Sequence, residues 1–230
     1  MTLKRQAISG MIWTGGSRVA TQALDQTFTI VLVRLLAPGD FGLMAMAAVF
    51  SALLRVLADM GFARAVVQRA DIDEEYLSTA FWGNFVSGVL ICAIALGAGF
   101  LAAGFYGQPL VRPIFAALSL RFVFTGASST QVALLSRQMK FSTLTVVDIV
   151  GIVSGGIVGV VMALAGAGVW SLVGQAVAFS FSEMVVLWFV TSWRPKRMFS
   201  MRSSSTCGGM AAASSARGFS VSSSSNLTTS

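Results

Sequence analysis

The sequence has no histidine. That removes the commonest metal ligand and the usual general base at neutral pH. Charge is scarce as well. Only 11% of residues are Asp, Glu, Lys or Arg, where a soluble domain carries about a quarter. Those few charges are not enough to cover an apolar core in water. The two cysteines are Cys92, inside an apolar run, and Cys207, near the C-terminus. They form no metal or redox motif, and no structural disulfide is expected between them. With no catalytic constellation beside them, neither an enzyme activity nor a cofactor or metal site is expected.

What the chain does have is apolar sequence. Over 230 residues it is 55% hydrophobic, with a mean hydropathy of +0.78. The apolar residues come in long runs, which points to lipid as the solvent. The formal net charge is +7, yet the basic residues are spread out and form no patch of the kind nucleic acid requires. They read instead as topology signals and membrane-embedded groups. Lys4 and Arg5 would suit a signal peptide, but the stretch after them holds Arg18, Asp25 and Arg34 and is too long and polar to be cleaved off. It is expected to remain as a first transmembrane helix.

The fold class is therefore an all-α membrane protein with about six transmembrane helices. Spans are expected near residues 12–36, 42–62, 80–105, 114–136, 144–165 and 168–191. Turn signals separate them: Ala37-Pro38-Gly39-Asp40, Tyr106-Gly107-Gln108-Pro109, and the tight hairpin Ala165-Gly166-Ala167-Gly168. A cytoplasmic N-terminus puts Lys4, Arg5, Arg64, Arg69, Arg137, Lys140, Arg194, Lys196 and Arg197 inside. Only Arg112, with Arg34 at a helix edge, is left outside, as positive-inside asymmetry requires. Trp13, Tyr76, Trp82, Tyr106, Trp170, Trp188 and Trp193 fall near span ends, where an aromatic belt would lie.

Charges within spans are costly and mark candidate sites. On the first helix Thr14, Arg18, Thr21, Gln22, Asp25 and Thr29 share one face. The second offers Ser51, Arg55 and Asp59, and the fourth Arg121, Thr125 and Ser128. Arg18 and Arg55 each lie about 10 Å in from the cytoplasmic edge. Asp25 and Arg121 share a deeper level as a candidate ion pair. These stripes suit a hydrophilic cavity whose arginines bind phosphate or diphosphate through multidentate donors. The alternative is that the charges pair with one another and merely hold the bundle. Arg18 and Arg55 are assigned to the cavity, Asp59 and Arg34 to interfaces. For Asp148 and Glu183 both readings stay open. The substrate-binding set is Arg18, Arg55, Gln22, Asp25 and Arg121. The acidic run Asp71-Ile72-Asp73-Glu74-Glu75 is read as a solvated loop, with Ser78 or Thr79 capping the third helix, rather than as a glycosyltransferase Asp-x-Asp. Gly151, Gly155 and Gly159 are read as a small face for close helix packing.

From Ser200 to Ser230 the composition changes: 12 serines, few apolar residues and two charges, Arg202 and Arg217. Residues 1–199 are expected to form the transmembrane unit. Residues 200–230 are expected to be a disordered tail, read as a frameshift product replacing further spans.

Five segments resemble one family. They are Leu35-Leu36-Ala37-Pro38-Gly39-Asp40-Phe41-Gly42; Asp59-Met60-Gly61-Phe62 with Val66-Val67-Gln68-Arg69; Ser78-Thr79-Ala80-Phe81-Trp82; Gly166-Ala167-Gly168-Val169-Trp170-Ser171-Leu172-Val173; and Trp193-Arg194-Pro195. In this order and spacing they resemble the Wzx-like lipopolysaccharide and exopolysaccharide translocases of the oligosaccharidyl-lipid flippase superfamily, over about residues 3–199. The resemblance implies export of undecaprenyl-diphosphate-linked oligosaccharide across the bacterial inner membrane. It also implies two six-helix lobes around a cation-lined cavity, of which this chain supplies the first. A C-terminal lobe or another copy is then an expected partner. Two alternatives are a cation-coupled drug exporter of the same superfamily, using Asp25 or Asp148, and a membrane enzyme of glycan assembly.

Overall fold

The computed structural model describes residues 3–59, 74–191 and 193–195. Among them are six α-helices: α1 Leu3–Leu35, α2 Pro38–Asp59, α3 Glu74–Tyr106, α4 Val111–Arg137, α5 Phe141–Leu164 and α6 Val169–Val190. Each expected span falls on one helix, except that residues 60–62 of the second lie outside the described residues. The Asp71–Asp73 loop, Arg64, Arg69, Lys196, Arg197 and the serine-rich tail lie outside the described residues.

Chain chemistry explains the helix ends. Pro38 opens α2, where its missing N–H costs nothing and its fixed φ suits a helix start. Asp40 stands in the same first turn, favoured by the helix dipole. The turn between α1 and α2 is thus only Leu36-Ala37, shorter than the sequence signal suggested. α4 and α5 end alike. Lys140 N–H reaches Leu135 C=O and Ala167 N–H reaches Met162 C=O, each at 3.0 Å, the closure of a Schellman motif. The left-handed residue is Gly166 (φ 77°) after α5 but Met139 (φ 56°) after α4.

One expectation needs correction. Ser78 and Thr79 do not cap α3. The helix begins at Glu74, about one turn earlier, and both residues are buried within it. Two successive glutamates at 74 and 75 suit the positive end of a helix dipole, so the start moves back onto them.

Packing joins two hairpins, α3–α4 and α5–α6, through contact of α4 with α6. Close approach of backbones holds each hairpin. A Cβ added to Gly88 would come 2.5 Å from Phe122 O, and one added to Gly126 would come 2.7 Å from Asn84 O. On α5 the expected small face meets α6: a Cβ at Gly155 would come 2.8 Å from Gln175 O, and one at Gly151 3.0 Å from Phe179. Ala47, Ile91, Phe115, Leu118 and Val173 form the main buried cluster across α2, α3, α4 and α6. Buried polar groups add links between helices, as they do in lipid. Asn84 Nδ2 donates to Thr130 Oγ1 at 3.5 Å. With its amide oriented to satisfy both neighbours, Gln131 accepts from Trp188 Nε1 at 3.2 Å.

Outside this core the surface is apolar. Phe105 and Phe189 are 80% and 84% exposed, and Leu101 is 76% exposed. Water would penalise such a surface, whereas lipid accepts it. Three helices among the described residues are long and apolar enough to cross a membrane: Leu77–Tyr106 of α3, α5 and α6. α1, α2 and α4 are long enough at 1.5 Å per residue, but they carry the polar stripes. Trp82, Trp188 and Trp193 gather with Phe81 and Phe85 at one end of the bundle, through ring contacts of 5.8 to 6.3 Å.

Candidate functional site

α1 and α2 diverge from their shared turn. α1 packs on α5, whereas α2 packs on α3, α4 and α6. Near the turn Leu32, Leu36 and Leu172 are buried with Phe41 and Met44 packed against them, and Phe28 covers Gly156 of α5. Further along, the helices part around a cavity of about 510 Å³. Asp25 and Thr29 line it from α1, Met44 and Ala48 from α2, Arg121 from α4, and Gln175 and Phe179 from α6. A second cavity of about 620 Å³ shares Met44, Ala48, Arg121 and Phe179 and adds Ser51, Thr125, Ser180 and Glu183. The two are halves of one cleft, and Arg121 stands where they meet.

Arg121 is held by its neighbours. Its Nε donates to Ser180 Oγ at 3.0 Å, and Ser180 Oγ donates to Ala176 O at 3.3 Å. The hydroxyl accepts from the guanidinium and spends its own hydrogen on its helix, so it ties α4 to α6. On α1, Thr29 Oγ1 donates to Asp25 O at 2.9 Å and Thr21 Oγ1 to Arg18 O at 3.0 Å. Those hydroxyls are satisfied within the helix, which leaves Arg18, Gln22 and Asp25 as the chemistry of that face.

The structure places Asp25 and Arg121 on the lining of one cavity. Arg18 and Gln22 are exposed on the same helix but line neither cavity. Arg55 lies on α2; its side chain, like that of Asp59, is outside the description. Ser51 and Thr125 line the second cavity as their stripes predicted. Ser128 does not: it is buried and bonds back to Phe124 O at 2.9 Å. Glu183 joins the cleft and Asp148 does not. Sequence reasoning named Glu183 but missed Gln175, Phe179 and Ser180, which with it form an α6 face spanning an arc of roughly 140°. Its polar members were visible, but the apolar residues between them hid the pattern.

The described lining holds one guanidinium and two carboxylates, Arg121 with Asp25 and Glu183. Such a lining is polar and ionic in a bundle whose outside is apolar. No metal-binding group of three or more Cys, Asp or Glu occurs among the described residues.

An apolar exterior and a bundle of helices define an all-α membrane protein. The chain belongs to the polysaccharide biosynthesis protein family, whose sequence pattern matches residues 31–227. It is 28% identical over 155 residues to the lipopolysaccharide biosynthesis protein WzxC of Escherichia coli K12, covering 67% of this chain and 32% of that protein. It is 26% identical over 204 residues to the teichuronic acid biosynthesis protein TuaB of Bacillus subtilis 168, covering 87% and 42%. The succinoglycan biosynthesis transport protein ExoT of Rhizobium meliloti 1021 is 26% identical over 193 residues, covering 83% and 38%. The chain thus spans 32% to 42% of the length of these relatives. No solved structure matches it. The Wzx-like resemblance read from the five segments is borne out.

Proposed function

We propose that this chain forms one six-helix lobe of a flippase that exports lipid-linked oligosaccharide during polysaccharide biosynthesis. The carrying observation is the cleft itself: Asp25 and Arg121, 96 positions apart in sequence, line one polar cavity inside an apolar bundle. Family membership supports polysaccharide biosynthesis as the setting, and the name of ExoT, a succinoglycan biosynthesis transport protein, supports transport rather than an enzyme activity.

In this reading the cleft is half of a larger chamber, and a second lobe supplies the facing wall. Arg18 and Arg55 meet the diphosphate near the cytoplasmic mouth, where bidentate guanidinium–phosphate bonds form readily. Gln22 and the α1 stripe contact sugar hydroxyls. Arg121, balanced by Asp25 and Glu183, sits deeper, so an anionic headgroup advancing along the cleft exchanges one guanidinium for the next. Rocking of the lobes then exposes the site to the far side. The protein lies in the bacterial inner membrane with its N-terminus in the cytoplasm.

Complementation tests this. The chain is co-expressed with the C-terminal portion of TuaB in a strain lacking its polysaccharide flippase, and surface polymer is measured. Export is expected for the parent, and expected to fall at least about tenfold in Arg121→Ala and in Arg18→Ala plus Arg55→Ala. Full export by both variants would overturn the site. Na⁺-dependent efflux of cationic dyes, abolished by Asp25→Asn, would favour the drug-exporter alternative.

A further inference from the structure

The α3–α4 hairpin carries a cation that the cleft does not use. Arg112 lies in the first turn of α4, at the end of the bundle opposite Arg137, Lys140 and Arg194. Its Cζ is 3.6 Å from the centroid of the Phe100 ring, a separation at which the guanidinium must lie flat on the ring face. Phe100 is itself 56% exposed and belongs to the apolar exterior. It stands six residues before the end of α3, roughly 9 Å along the helix. The side chain of Arg112 is thus laid back along the hairpin toward the hydrocarbon rather than extended into water.

A cation held there needs an acceptor. Stacking satisfies the face of the guanidinium and leaves the N–H donors around its edge. No hydrogen-bond or ion-pair partner for Arg112 occurs among the described residues, and the first turn of α4 has no acidic residue. On the same face of α3 as Phe100, one turn deeper toward the hydrocarbon, stands Leu96, an exposed apolar side chain. A planar donor edge above an acyl-compatible surface matches an anionic group carried on hydrocarbon chains.

We propose that Arg112 and Phe100 form a binding site for the phosphate of a bilayer phospholipid headgroup, with an acyl chain lying along Phe100 and Leu96. The site is separate from the cleft and independent of the cargo proposed for it. The phosphate accepts two N–H bonds from the guanidinium edge, in the geometry that arginine offers and lysine does not. Its role is to fix the hairpin tip at headgroup depth.

The full chain is purified in nanodiscs of phosphatidylcholine alone, or of an equal mixture with phosphatidylglycerol. It is then released into detergent, and retained lipid is counted by native mass spectrometry. The parent is expected to keep a phosphatidylglycerol molecule. Arg112→Gln is expected to reduce retention about tenfold, Phe100→Leu about threefold, and Arg112→Lys to fall between. Retention by Arg112→Gln equal to the parent would overturn the site. If that variant does not fold, parent-level retention by both Phe100→Leu and Arg112→Lys would overturn it equally. A matched arm offers a polyprenyl diphosphate in phosphatidylcholine. Its retention through Arg112 in place of phosphatidylglycerol would overturn the assignment to a bilayer phospholipid.

Discussion

At the residue scale, the central question is what keeps Arg121 in place before any cargo arrives. Ser180 accepts from its Nε and passes the bond on to Ala176 O. Ser180→Ala removes that acceptor from a half-buried cation, so the bundle should lose about 1 kcal/mol of stability, read as a lower unfolding midpoint in detergent. Arg121 was legible in the sequence because a charge inside a span is rare and must have a reason. Ser180 was not, because hydroxyls in membrane helices so often bond their own backbone, as Ser51, Thr29 and Ser128 do here. Met139 was equally hidden. The left-handed position ending α5 announces itself as Gly166, but the one ending α4 is a methionine at φ 56°, 75% exposed. An L-residue there carries a strain of about 1 kcal/mol. Met139→Gly should therefore raise the unfolding midpoint, and Gly166→Ala should lower it by a comparable free energy. Equal midpoints for parent and Met139→Gly would show that the turn is not left-handed at that position.

At the element scale, the helices were legible and their contacts were only partly so. Hydrocarbon thickness sets span length so strongly that every expected span landed on a helix. The start of α3 did not follow, because hydropathy carries no information on a polar first turn. The glycines at 151, 155 and 159 gave away by their four-residue spacing that α5 packs closely, though not that its partner is α6. Gly88 and Gly126 let α3 and α4 touch, but Gly88 is one of five unevenly spaced glycines on α3 and Gly126 stands alone on α4, so neither offers a four-residue period to read. The two kinds of glycine should separate by experiment. Gly155→Ala would place its Cβ 2.8 Å from a backbone oxygen, so α5 and α6 must part; the cost should be about 1–3 kcal/mol. Gly97→Ala, on α3 with nothing within 4 Å of the added Cβ, should instead stabilise by about 0.5–1 kcal/mol. Chemical denaturation of both variants in one detergent checks the sign of each. A destabilising Gly97→Ala would mean that α3 has a close neighbour on that face.

At the scale of the whole molecule, the polar stripes and the topology explain each other. α1 and α4 are more polar than α3, α5 and α6, which satisfy a simple apolar criterion among the described residues, and with α2 they supply Asp25, Arg121 and Ser51 to the cleft. If all six cross the membrane, alternation puts the N-terminus and the α4–α5 turn on one side and the α3–α4 turn on the other. Charge makes the same division: Arg137 and Lys140 flank the first turn, while Arg112 stands alone at the second. The apolar criterion alone would make a different prediction. Were α4 to lie on the surface, Gln108 and Gln138, both exposed in turns at its two ends, would share a side. With Cys92 and Cys207 replaced by serine, single cysteines at these positions decide between the two. A membrane-impermeant maleimide added to intact cells should label Gln108→Cys and leave Gln138→Cys untouched until the membrane is opened. Labelling of both from outside would remove α4 as a span, and with it the inward placement of Arg121 on which the cargo site depends.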